Sequence, residues 1–311
     1  MLNLDKGKLH MFSFIAKPFW SQEDPHGFKQ ELRDLTRGVA GGMIFGTPVI
    51  YTMEVWAEGQ LFSPGLLLVI TFIIVNLNIC FSYFAGLREK HSAERFVYAV
   101  DDGLTSFGLS MVLSLAVLCL INRLDFSEHF RINLGKVLLE ASFISVGVTF
   151  TNFKFKKSAI NSVTRNLIES HPFESTSEKQ AKKDLNDLMA AVAGSILYSF
   201  NVASTEEIVL IASSLSPLKL MVLLAAELLM CFIVLYASGL RMHVIYDKGN
   251  FFQHPFNETI LTASISLTVS GLLLTTVGFG NIHFTDPSFV PTLIVLGLPA
   301  VIGGAAGRLA V

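Results

Sequence analysis

The sequence predicts an all-α polytopic membrane protein with eight transmembrane helices, arranged as two tandem parallel four-helix repeats. Three observations predict it. Hydrophobic residues make up 51% of the 311 positions and charged residues only 15%, with a mean hydropathy of +0.55. Soluble domains carry roughly a quarter charged residues. Eight stretches approach the roughly 20 apolar residues that a helix needs to cross a hydrocarbon core. The chain also matches itself at an offset of 153 positions. This composition argues against a soluble enzyme, a nucleic-acid binder and a disordered chain, and the net charge of −2 implies no polyanionic partner.

The expected spans are 37–57, 65–87, 103–121, 134–153, 187–212, 217–240, 258–279 and 288–308. The weakest are 37–57, which holds Pro48 and Glu54, and 134–153, which holds Lys136 and Glu140. Lys and Arg choose the orientation. They crowd the N-terminal segment from Lys6 to Arg37, the loop of Arg88, Lys90 and Arg95, the linker 154–185, and the loop of Arg241 and Lys248. In an eight-span chain all four lie on one side. The opposite loops 58–64 and 280–287 have neither residue, and 122–133 has only Arg123 and Arg131. The expectation is an integral membrane protein with both termini and the central linker cytoplasmic. The first 30 residues show no secretory leader pattern. The aromatic, mildly basic stretch Met11 to Trp20 suits either the interface plane or a packed tail. Cys80, Cys119 and Cys231 sit in apolar runs and read as small core hydrophobes.

The repeat is the strongest organisational signal. Aligned at 153, about 18 of 60 positions over 29–88 are identical, including Asp34 with Asp187, Val39-Ala40-Gly41 with Val192-Ala193-Gly194, Glu54 with Glu207, and Ser63-Pro64 with Ser216-Pro217. Beyond residue 88 the offset becomes about 156, pairing Asp102 with Glu258 and Ser110 with Ser266. An even number of spans per unit makes the two halves parallel rather than inverted. The implied divisions are 1–28, a cytoplasmic segment; 29–153, the first repeat; 154–181, the linker; and 182–311, the second repeat.

Carboxylates inside spans are costly and face a bundle interior or water. Glu54 and its mate Glu207, with Glu206 beside it, fall near the outer ends of equivalent helices. Such a pair suits an acidic ring that selects, and transiently binds, cations; it equally suits the plain end of a span. Below it at helical spacing lie Ile50, Thr47 and Met43, with Ala203, Phe200 and Ile196 in the second copy. That stripe is what a dewetting gate needs, and it is also what core packing produces. Gly46 and Pro48 offer a hinge, and Arg33 and Arg37 a basic cytoplasmic mouth. Glu140 is expected to pair with Lys136, one turn away. Glu140 and the unmatched Glu227 are also candidates for carrying protons. Asp101, Asp102 and Glu258 read as helix N-terminal acids, and Asn76 and Asn78 as bonds to neighbouring helices. No catalytic, cofactor or phosphate-binding motif appears, so neither an enzyme nor a cofactor is expected.

The run Arg37-Gly38-Val39-Ala40-Gly41-Gly42-Met43-Ile44-Phe45-Gly46-Thr47-Pro48, with Tyr51-Thr52-Met53-Glu54-Val55-Trp56, resembles a family of bacterial integral membrane proteins of unknown function. Each four-span unit also resembles the Orai calcium-channel subunit. Met53-Glu54-Val55 followed by Pro64-Gly65-Leu66-Leu67, His254-Pro255-Phe256-Asn257-Glu258, and Pro299 before Gly303 carry that likeness. It implies a calcium-selecting carboxylate at Glu54 and Glu207, a hinge at Gly46, a gate at Ile50 and Thr47 with mates Ala203 and Phe200, and three chains around one pore. Thr47 is polar where that family is aromatic, and the first repeat lacks the His-Pro motif. The residues themselves leave three readings open: a cation channel, a proton- or ion-coupled transporter, and a membrane scaffold or sensor.

Overall fold

A computed structural model describes residues 25–85, 92–166, 177–237, 255–278 and 282–309. The N-terminal stretch 11–20, part of the linker and His254 lie outside the described residues. Every regular element among the described residues is helical: α1 (Pro25–Ile50), α2 (Met53–Leu61), α3 (Pro64–Ala85), α4 (Ser92–Leu120), α5 (Phe130–Asn166), α6 (Ser177–Ala203), α7 (Glu207–Ser214), α8 (Pro217–Phe232), α9 (Pro255–Val277) and α10 (Phe289–Leu309). A π turn over Ile233–Ala237 continues α8.

Six helices, α3, α4, α5, α8, α9 and α10, carry segments long and apolar enough to cross a membrane. A seventh arises if α6 and α7, bent by 85° at their junction, count as one span. The expected span 37–57 is not a single helix: it is divided between α1 and α2 by a break at Tyr51 and Thr52. Pro48 has no N–H to donate back along α1, and two turns of irregular bonding follow, Thr52 N to Val49 O and Val55 N to Thr52 O. The expected span 187–212 breaks likewise, after Ala203.

The helix boundaries recur at the sequence offset. α1 ends at Ile50 and α6 at Ala203; α3 begins at Pro64 and α8 at Pro217, each pair 153 positions apart. Both long helices start on a Ser-Pro pair. Ser216 accepts a hydrogen bond from Lys219 N, and Ser63 accepts one from Leu66 N. Proline at the first helical position needs no N–H, and the serine satisfies a donor of the first turn. In each half the first helix packs along the last, α1 on α5 and α6 on α10. Gly194 in α6 meets Gly303 and Gly307 in α10 so closely that a Cβ at any of them would enter the facing backbone. Small residues at such a seam let helices approach closely in an apolar medium.

One apolar core joins the halves. It runs from Met43, Ile50, Tyr51 and Trp56 through Leu118, Ile121 and Ile144 to Ile208, Ile211, Leu223, Leu274 and Leu296. Trp56 anchors α2 by donating from its indole N–H to Ile50 O at 3.2 Å, while the Arg123 guanidinium lies 4.9 Å above its ring.

Candidate functional site: carboxylates in the bundle interior

The expected acids separate. Glu54 is exposed in the first turn of α2. Its mate Glu207 is buried in the first turn of α7, with Oε2 lacking a hydrogen-bond partner among the described residues, and Glu206 is exposed at the N-cap. Among the described residues no group of three His, Cys, Asp or Glu side chains converges in a way that would hold a metal ion. Of the expected pore lining, Met43, Thr47 and Ile50 are fully buried in the core of the single chain, as is Ala203. Phe200 and Ile196 instead lie on the outer surface. The tertiary reason is that α1 is covered on one side by the other half of the chain, while the corresponding side of α6 has little of the other half against it. Gly46 sits against Ile144 within continuous helix, and the break falls beyond Pro48, at Tyr51. Arg33 is exposed, and Arg37 is ion-paired with Asp34 at 3.0 Å.

Several smaller expectations are also corrected. Lys136 turns away from Glu140: it donates to Arg123 O at 3.0 Å and pairs with Glu128 at 3.2 Å. α4 starts nine residues before Asp101, at Ser92, so Asp101 and Asp102 lie inside the helix rather than at its N-terminus. Asn78 does cross to a neighbour, donating to Ser145 at 2.9 Å, whereas Asn76 bonds Phe72 O of its own helix. Cys231 is buried, but Cys80 is exposed.

What the fold places inside is a different pair of acids. Glu140 on α5 and Glu227 on α8 are essentially inaccessible, and all four of their carboxylate oxygens lack a hydrogen-bond partner among the described residues. Glu227 presses against Gly297 of α10: a Cβ there would stand 2.7 Å from Oε2 and 3.0 Å from Oε1. Gly297 therefore makes the space that the carboxylate fills. Tyr51, at the break after α1, crosses to the second half and donates its hydroxyl to Val295 O at 2.7 Å.

A polar ladder leads to this level. On α9, Glu258, Thr262, Ser266 and Ser270 recur every fourth residue and are all buried. At the start of the ladder Arg308 of α10 is ion-paired to Glu258 and to Asp187 of α6 (3.3 Å) and donates to Thr262 Oγ1 at 2.6 Å. Further along, the Ser195 and Ser266 hydroxyls are 2.8 Å apart. Leu267, beside Ser266, meets the same Gly297 that receives Glu227. The ladder rises about 18 Å over its twelve residues, more than half of a hydrocarbon core about 30 Å thick. Sequence reasoning missed Arg308 and the ladder. The signal was present as polar residues at i, i+4, i+8 and i+12, repeated on α4 as Asp102, Ser106, Ser110 and Ser114.

These features define a polytopic α-helical integral membrane protein with ionisable groups enclosed in its bundle. The chain belongs to the family described as "Putative integral membrane protein (DUF2391)", which matches residues 34–311. No curated protein and no solved structure matches it, so the likeness to Orai subunits stands on its short motifs alone.

Proposed function

We propose that this protein moves protons or small inorganic cations across a bacterial inner membrane, with Glu227 and Glu140 as the groups that take up and release the ion. One observation carries the reading: two carboxylates are enclosed in the bundle with no hydrogen-bond partner on any oxygen among the described residues. An ionised carboxylate left alone in a low-dielectric interior costs several kcal/mol. Such a group is retained where it holds a proton or a cation during part of a cycle. Tyr51 and the hydroxyls of the α9 ladder supply polar positions along the route, and the Arg308 cluster closes its other end with compensated charge. The broken helices α1–α2 and α6–α7 place irregular backbone at the same level, where it is tolerated only against protein or water.

This favours a coupled carrier with an interior site over a pore ringed by the first helices, because Met43, Thr47 and Ile50 are already packed against protein. The same reading takes α1 as a crossing helix. Its 26 residues are long enough, and its charges gather in the first half. The protein then has eight crossings in two parallel repeats, and the Lys and Arg distribution puts both termini in the cytoplasm. The reaction is non-enzymatic and needs no cofactor.

The test is flux in liposomes holding purified protein, with pH-sensitive and cation-sensitive dyes. Wild type dissipates an imposed proton or cation gradient. Glu227→Gln and Glu140→Gln remain folded and lose most of that flux. Undiminished flux in the double variant, or none from folded wild type under gradients of H+, Na+, K+ and Ca2+, overturns the proposal.

A further inference from the structure

Within one chain the two halves meet through unlike surfaces. The first half offers α1 and α4; the second receives them mainly on α8, its π turn and α10, with only a narrow edge of α6 against α1. A two-fold contact would bury the same surface of both partners; this one is heterologous, and such a contact repeats from unit to unit until it closes. The rest of the argument depends on the tandem-repeat reading above.

Each surface used inside the chain has a mate in the other repeat. On the donor side, Ala40 and Ile44 of α1 pack in a cluster with Cys231, Ile233, Val234 and Val301 of the second half. Their mates 153 positions on are Ala193 and Leu197 of α6; Ala193 is exposed and Leu197 is 67% exposed. Thr47 is fully buried, while its mate Phe200 is 48% exposed. On the receiving side, Val234 is fully buried, while its mate Phe81 on α3 is 46% exposed. Ile233 is half-buried, and its mate Cys80 is exposed. The chain thus ends in one unused donor face, on α6, and one unused receiving strip of α3 at Cys80 and Phe81, while Asn78, the mate of Cys231, is already buried against Ser145. Exposed apolar residues alone would simply face lipid. Here the same repeat surface is covered by protein wherever a second repeat is available to cover it.

We infer that the α6 face of one chain docks on the α3 face of a second copy, reproducing between chains the contact that joins the two halves within one. Ala193 on the donor face keeps the small side chain that allows Ala40 its close approach. Every copy then has one neighbour on each side, and the series closes as a ring in the plane of the membrane.

The experiment is thiol cross-linking in native membranes. Leu197→Cys is introduced with Cys80 kept and Cys119 and Cys231 replaced by alanine. Ile44 and Ile233 share the internal cluster, so their mates Leu197 and Cys80 are brought together at the interchain contact. A short bifunctional thiol reagent is expected to give a ladder of dimers and larger products. Cys80 alone and Leu197→Cys alone are expected to give monomer, because the contact needs both faces. Ile44→Cys with Ile233→Cys, in a chain lacking the native cysteines, is expected to link within one chain. An intrachain link without any interchain ladder means that lipid covers both faces and sinks the inference, leaving the transport reading to its own flux test. Dimers from Leu197→Cys alone reveal a two-fold contact and overturn it. Failure of the intrachain link removes the template itself and overturns it too.

Discussion

Gly297 and Glu227 are joined by a space of atomic size. A methyl group at Gly297 would stand 2.7 Å from the Glu227 carboxylate, well inside contact distance. Gly297→Ala is expected to cost about 1–3 kcal/mol, as overpacking does, and to cut transport by displacing Glu227; thermal unfolding in detergent and liposome flux measure the two effects. Glu227→Met fills a similar volume without a buried polar group. It is expected to match or exceed wild-type thermal stability while abolishing flux, since an apolar replacement removes the desolvation penalty. A less stable, fully active Glu227→Met would assign the residue a structural role. In the loop between α4 and α5, Ser127 donates from N and Oγ to Asp125 Oδ1 at 2.8 and 2.6 Å. Those two bonds hold the Asp125 carboxyl below its ordinary value. A depressed carboxyl contributes its stability above the unfolded pKa and loses it as pH falls through the folded one. Ser127→Ala is expected to raise the Asp125 pKa in an NMR titration and move that loss to higher pH.

At the scale of elements, the Arg308 cluster ties α6, α9 and α10 together in a buried setting. Removing one partner of a buried ion pair typically costs about 3–5 kcal/mol, because it strands the others. Arg308→Met is expected to fall in that range by unfolding, and adding Asp187→Asn with Glu258→Gln is expected to recover most of the loss. An Arg308→Met variant as stable as wild type would show that packing at the Gly194–Gly303 seam holds these helices without the cluster. The Ser-Pro starts of α3 and α8 were plain in the sequence, because capping and fixed proline φ are local effects. The breaks after α1 and α6 were not. The hydropathy of 187–212 drops at Ser204-Thr205-Glu206-Glu207, but a polar interruption does not by itself set a bend, and the packing of α7 and α2 into the core turns the chain there. Asp101 and Asp102 misled for a related reason: α4 continues toward its N-terminus well beyond its apolar stretch, so the first charged residues do not mark the helix start.

For the whole molecule, topology is the property that charge distribution predicts most directly. A cysteine replacing exposed Ser127 is expected to react with an impermeant maleimide from outside intact cells, and one at Ser170 in the linker only after permeabilisation. Labelling of both from one side would remove the orientation. Composition and apolar runs were enough to show that the chain is helical and lives in a membrane, because desolvating a helix backbone and side chains is a local cost that each segment must meet. The family match extends over those same residues. Which carboxylates are enclosed was settled only by tertiary packing. Glu54 and Glu207 match in sequence, yet one is exposed and the other buried, because burial depends on what covers the repeat. Lys136 is in register for Glu140, yet it bonds the chain at Arg123 and Glu128 instead. The sequence by itself determined the medium; the tertiary structure decided which helix faces meet, and therefore which interior charges are left without partners among the described residues.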